Sequence, residues 1–151
     1  MENVAITGLG VISSIGLNVQ TFNDNLLAGK VVASAAPWKD GHENIWMSLI
    51  EDFDPGVWMD ERVVRNAAPF TQYAIAAAVQ AVADAGIETF DPLRTAVIIG
   101  SALGGVDCYA QDQQRMDQDG PAAISPKFMA NSLLNMPCAH IALRYGLHGP
   151  Q

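Results

Sequence analysis

Apolar runs of strand length that end in glycine alternate along this chain with stretches of helical period. Val4-Ala5-Ile6-Thr7 leads into Gly8-Leu9-Gly10, so a buried strand is expected to enter a tight turn. Val11 to Ile15 continues that run, and Gly16 breaks it. Val19 to Ala28 predicts a helix, with Val19, Phe22, Leu26 and Leu27 on one face and Gly29 as its stop. From Lys30 to Asp60 no period is sustained, and Pro37, Gly41, Pro55 and Gly56 interrupt the chain. One strand is expected there, near Trp46 to Ile50. The stretch is too aromatic to be disordered.

The clearest helix is Phe70 to Ala85. Pro69 is permissive at its start, Gly86 caps its end, and alanines lie all round it. Small residues on every face suit a helix packed closely between other layers. Arg94 to Gly100 predicts a second buried strand, running into the small-residue turn Gly100-Ser101-Ala102-Leu103-Gly104-Gly105. Val106 to Gly120 predicts a polar helix, and Pro126 to Leu134 and Met136 to Tyr145 predict two short ones before His148-Gly149-Pro150. Strands alternating with helices imply an α/β architecture with largely parallel strands.

Composition narrows the class. Of 151 residues, 50% are hydrophobic, which suffices for one domain with a core. The mean hydropathy is +0.15, yet no apolar run reaches the roughly 18 residues of a spanning helix, so no membrane partner is expected. The net charge of −8 argues against nucleic acid, whose phosphates need a basic footprint. No basic residue precedes the first apolar stretch, so Met1-Glu2-Asn3 does not open a secretory signal. Cys108 and Cys138 fit no C-x-x-C pair, and no histidine lies at zinc-ligand spacing. Spacing alone leaves a bridge between them open; the expectation is two reduced thiols in a cytoplasmic protein.

The candidate motifs resolve toward packing rather than chemistry. Gly8-Leu9-Gly10 after a strand invites a dinucleotide-binding reading, but that fingerprint needs a glycine where Ser13 stands. A turn that lets strand and helix approach closely fits better. Gly104-Gly105 could cradle an anion, yet no Lys or Arg follows within a turn. His140 sits in an apolar helix, where a lone histidine is usually structural. Neither cysteine has a cationic neighbour in sequence that would activate its thiol. From the residues alone, then, no nucleophile, general base, metal site or phosphate loop emerges.

Five blocks in order nevertheless resemble the β-ketoacyl-acyl-carrier-protein synthases. They are VAITGLGVISSIG from Val4, FNDNLLAGK from Phe22, the Ala-rich helix Phe70 to Gly86, IGSALGG from Ile99, and ISPKFMANSLLNMPCAHIALRYGLHGP from Ile124. The resemblance implies the N-terminal part of a thiolase-like layered αβαβα fold, with residues 1–151 a partial N-terminal domain. It places the catalytic cysteine a few residues after the GLHGP-like block, at a helix start where the thiolate is favoured, and two histidines much further on. Both that cysteine segment and the C-terminal half would then lie outside this sequence, and Cys138 does not take the nucleophile's place. Because the family's sheet continues past residue 150, the chain by itself is expected to be poorly soluble or oligomeric.

The implied activity is decarboxylative Claisen condensation of acyl and malonyl groups in fatty-acid or polyketide synthesis, with no cofactor. Acyl carrier protein is the implied partner, and the protein would work as a homodimer, or as a heterodimer with a ketosynthase subunit. By the same resemblance Leu103 lines the acyl pocket, and Phe128 reaches it across the dimer interface. Arg62 and Arg65 match a basic segment that contacts the carrier, whereas Ala122 and Ala123 stand where the fatty-acid enzymes are often basic. Two other readings compete: a non-catalytic subunit of the chain-length-factor type, and a truncated interaction module.

Overall fold

The structure, a computed structural model, describes residues 3–35 and 45–151. Met1, Glu2 and part of the expected irregular stretch, including Pro37, Trp38 and Gly41, lie outside the described residues. Helices carry the described part. In chain order they are α1 (Val19–Leu27), α2 (Glu61–Asn66), α3 (Pro69–Asp84), α4 (Val106–Asp119), α5 (Phe128–Ser132) and α6 (Met136–Tyr145). Two 3-10 turns, Pro55–Val57 and Pro121–Ala123, precede α2 and α5. The one described sheet is small: β1 (Ser34–Ala35) pairs antiparallel with β2 (Trp46–Met47).

The core forms where α3 crosses α6. Ile75 of α3 and Cys138, Ile141 and Ala142 of α6 are buried together with Met59, Val97 and Leu147. Ala76 is fully buried, as a helix with alanines on every face allows. α6 begins with Pro137 in its first turn and ends at Gly146, whose left-handed φ of 64° a side chain would resist. The face expected of α1 is less covered than its pattern suggested. Val19 and Phe22 are half-buried, but Leu26 and Leu27 are exposed among the described residues.

The two expected strands are corrected in one respect. Neither Val4–Ile15 nor Arg94–Gly100 joins a ladder among the described residues; only an isolated bridge, Ser13 with Gly16, occurs in the first. A strand needs a neighbouring strand to accept its N–H groups, and here those groups turn elsewhere. Leu9 N donates to Asp84 Oδ2 at 2.9 Å and Val11 N to Gln80 Oε1 at 3.2 Å, both on α3. In the second run Val97 N donates to the Pro150 carbonyl at 3.0 Å, and His148 N to that of Pro92 at 2.8 Å. The His148-Gly149-Pro150 segment therefore lies along residues 92–97.

The first run still packs as a strand would on a helix. A Cβ at Gly8 would overlap the Ala81 carbonyl and the Ala85 methyl, and one at Gly10 the Ala77 carbonyl. Two residues of extended chain span about 7 Å and one helical turn about 5.4 Å, so alternate glycines meet successive turns of α3. This contact explains Gly8-Leu9-Gly10 without any nucleotide.

Large apolar side chains remain uncovered on both expected strands, with Ile6 84% and Ile98 86% exposed, and on α6, where Leu143 is 81% exposed. Such surface drives association. Residues 1–151 expressed alone should therefore run in light scattering as oligomers or aggregates; a monodisperse monomer with a cooperative melt would contradict this.

Candidate functional site

Arg62 and Arg65 lie on α2, a helix the irregular sequence pattern did not reveal. Its local signals are nevertheless sound. Asp60 caps it by accepting from Val63 N at 2.9 Å, Glu61 stands in the first turn, and Arg65 in the last. Arg65 pairs with Glu61 at 2.8 Å, one turn back, and both are largely exposed. Several carbonyls at the end of α2 are engaged by side chains. Asn66 Nδ2 donates to Arg62 O at 2.6 Å, and Gln72 Nε2 of α3 donates to Val64 O at 3.0 Å and Ala67 O at 2.9 Å. Lys127, remote in sequence, donates from Nζ to Arg65 O at 3.0 Å.

Beside α2 opens a cavity of about 660 Å³ between α2, α3 and α6. Met59, Val63, Ile75 and Leu143 supply its apolar lining; Arg62, Arg144 and His140 supply its basic groups. Burial pushes His140 below the ordinary imidazole range, so near neutrality it is an uncharged donor and acceptor. The histidine read as structural therefore does face a cavity, although its helix pattern gave no sign of it.

Leu103 and Phe128 do not line one described cavity. Leu103 is 69% exposed on the turn that leads into α4. Gly104 and Gly105 of that turn press against residues 131–134, and a Cβ at Gly105 would overlap the Asn131 carbonyl. Buried Asn131 Oδ1 and Ser132 Oγ have no hydrogen-bond partner among the described residues. Phe128 begins α5 and stacks obliquely on Tyr109 of α4, with ring centroids 5.6 Å apart. A cavity of about 270 Å³ forms around them with Asp112, Gln113, Met116 and Ile124, and Leu103 does not line it. Buried Asp112 anchors the wall by accepting from Arg115 Nη1 at 2.7 Å and from Ser125 N at 3.1 Å. Ala122 and Ala123 form the 3-10 turn just before Ser125 and bring no charge.

Both cysteines are free. Burial, and next the carboxylate of Asp107, hold the Cys108 thiol above its usual value, which suppresses the thiolate. Cys138 belongs to the α3–α6 core. Among the described residues no three His, Cys, Asp or Glu side chains group to hold a metal ion, and no helix is long and apolar enough to cross a membrane.

The site residues thus divide into a charged face on α2 with its cavity and a second, mixed region around α4 and α5. Comparison with known proteins gives both a context. A curated 3-oxoacyl-[acyl-carrier-protein] synthase 2 of Coxiella burnetii is 35% identical over 99% of this chain, which covers 37% of that protein. A putative polyketide β-ketoacyl synthase 1 of Streptomyces cyaneus is also 35% identical, again over 99% of this chain and 38% of its own length. The chain therefore spans less than two fifths of these relatives. Among solved structures, the ishigamide ketosynthase/chain length factor superposes with a TM-score of 0.81 at 28% identity, over 97% of this chain and 39% of that one. Its likeness supports the layered, thiolase-like α/β fold. The pattern of the β-ketoacyl synthase N-terminal domain matches residues 1–151, and the chain belongs to that family.

Proposed function

We propose that this chain is a partial N-terminal domain of a β-ketoacyl-acyl-carrier-protein synthase, and that the whole protein elongates carrier-bound acyl chains. The observation that carries the reading is the 35% identity to a 3-oxoacyl-[acyl-carrier-protein] synthase 2 across 99% of the chain. In the proposed reaction a cysteine thiolate takes the acyl group from its carrier as a thioester. The malonyl thioester loses CO₂, and the resulting enolate attacks the acyl carbonyl. A carbon–carbon bond forms and the cysteine thiolate leaves with the electron pair. In this reading the cysteine and the two assisting histidines would be supplied by the rest of the whole protein. This chain would supply the wall of the acyl pocket through Leu103, with Phe128 reaching the pocket of a partner subunit. Arg62 and Arg65 would contact the acidic carrier. The protein would be a cytoplasmic dimer and need no cofactor.

Leu103 is exposed and does not line the cavity around Phe128, so a wall contributed by a partner subunit would be needed to complete the pocket over it. A second reading, the non-catalytic chain-length-factor subunit, draws on the likeness to the ishigamide ketosynthase/chain length factor. Condensation by the purified full-length protein without a second ketosynthase subunit separates the two readings.

The pocket assignment is tested in that full-length protein by Leu103→Phe. The larger ring should fill the acyl tunnel and lower kcat/KM for long acyl groups while sparing short ones. Each lost methylene contact is worth about 0.8 kcal/mol, so two of them change discrimination by roughly tenfold or more. An unchanged chain-length profile would make Leu103 an ordinary packing residue.

A further inference from the structure

We propose that Asp112 is a positioning residue for acyl-chain length. It holds the chain between Ile124 and Phe128 against α4 and so sets where the Phe128 ring stands; this rests on the pocket reading above. The placement of its carboxylate carries the inference. Among the described residues of α4, a largely polar helix, only Asp112 is buried, and its side chain is 5% exposed. A carboxylate is costly to bury and needs good partners where it is. Here they are Arg115, one turn on, and the backbone N–H of Ser125, which returns to it from 13 residues away.

The bond from Ser125 N falls between Ile124 and Phe128, and both of these line the cavity beside α4. Other backbone bonds in this stretch close within a few residues: Ala123 N to Gly120 O, Ile124 N to Pro121 O and Phe128 N to Ser125 O. They shape the segment without fixing it to the body of the helix. Asp112 supplies that fixing, and Ser125 passes it on. Its Oγ accepts from Lys127 N at 3.1 Å, and its carbonyl from Phe128 N at 2.9 Å. On α4, Tyr109, Asp112 and Met116 are spaced three and four residues apart, hence on one face, and all three line the cavity with Phe128. Tyr109, the ring partner of Phe128, is itself 52% exposed and gives that ring no closed seat. The bonded segment therefore decides where the ring stands.

An Asp112 that only held the fold would change stability and leave acyl-chain selectivity alone. In the full-length protein that carries this chain, condensation is measured with malonyl-carrier protein and a series of short to long acyl-carrier proteins. Asp112→Ala should lower kcat/KM for long acyl groups about three- to tenfold, as loss of one hydrogen bond would, and leave short ones little changed. Asp112→Asn keeps an oxygen for Ser125 N and loses only the ion pair, so it should retain the parental profile. Phe128→Ala should alter the profile by itself, and Asp112→Ala added to it should alter it no further. Where Asp112→Ala does not accumulate, Ser125→Ala removes only the exposed bond from Lys127 N and should shift the profile the same way by less. If these variants lower the melting temperature but keep the profile, Asp112 only holds the fold. That result, an Asp112→Asn profile like that of Asp112→Ala, or an effect that persists beside Phe128→Ala overturns the inference while the pocket reading stands. If Phe128→Ala leaves the profile unchanged, or the full-length protein does not condense, the pocket reading fails and takes this inference with it.

Discussion

Offered acyl- and malonyl-carrier protein, residues 1–151 by themselves are expected to form no β-ketoacyl product. The reaction needs a thiolate, and the two thiols present are poorly placed to become one. Cys108 is held protonated by burial and by Asp107, with Asp112 opposing ionisation as well. Cys138 is buried in the hydrophobic core between α3 and α6, where an acyl carrier could not reach it. His140 is the one histidine that lines a described cavity, and it shares that cavity with Arg62 and Arg144 rather than with a thiol. Positioned acid–base groups alone contribute about 10²- to 10⁴-fold, and the covalent intermediate would be lost too, so the deficit should exceed that range. The check is a product assay by mass spectrometry, with Cys108→Ala and Cys138→Ala beside the unsubstituted chain. Turnover that either substitution abolishes would overturn the expectation.

The second large effect should come from Gly10→Val in the full-length protein. The added branched side chain has no space, because its Cβ alone would overlap the Ala77 carbonyl, which is backbone and held in the α3 hydrogen-bond ladder. Moving the strand segment off α3 would also break the bonds from Leu9 N to Asp84 and from Val11 N to Gln80. Overpacking of this kind costs about 1–3 kcal/mol, and losing those two bonds adds about 1 kcal/mol each. A loss of about 3 kcal/mol or more in urea unfolding is expected, or failure to accumulate soluble protein. Ser14→Ala, four residues further along the same run, touches only an exposed hydroxyl contact with Ser48 and should stay within about 0.5 kcal/mol. Equal effects from both substitutions would mean that the glycine contact is unimportant.

Local pattern revealed the helices of about ten residues or more best. Phe70 to Ala85 was expected as a helix and α3 covers Pro69–Asp84; Met136 to Tyr145 matches α6. The expected helix Pro126 to Leu134 shortens to Phe128–Ser132, because Leu133 adopts an extended conformation. α2 was missed although Asp60, Glu61 and Arg65 are placed as a helix start and end would want them. Its six residues are too few for a hydrophobic period to show. That Cys108 is no activated thiol was likewise legible, but the cause was not: burial first, and then Asp107, raise its pKa, against the opposing charge of Arg115.

The sequence by itself determined the family, through ordered blocks that match over residues 1–151, and it determined the helices whose period or composition is unmistakable. Helical hydrogen bonds close within four residues, so a local pattern suffices to specify them. Only the tertiary structure decided where the backbone donors of the two apolar runs go, since a strand's partners may lie anywhere in the chain. It decided, too, that Gly8 and Gly10 face Ala77, Ala81 and Ala85, that Leu103 does not line the Phe128 cavity, and that Lys127 meets Arg65 across 62 residues. Each of these is a contact between surfaces remote in sequence, set by packing rather than by neighbouring residues.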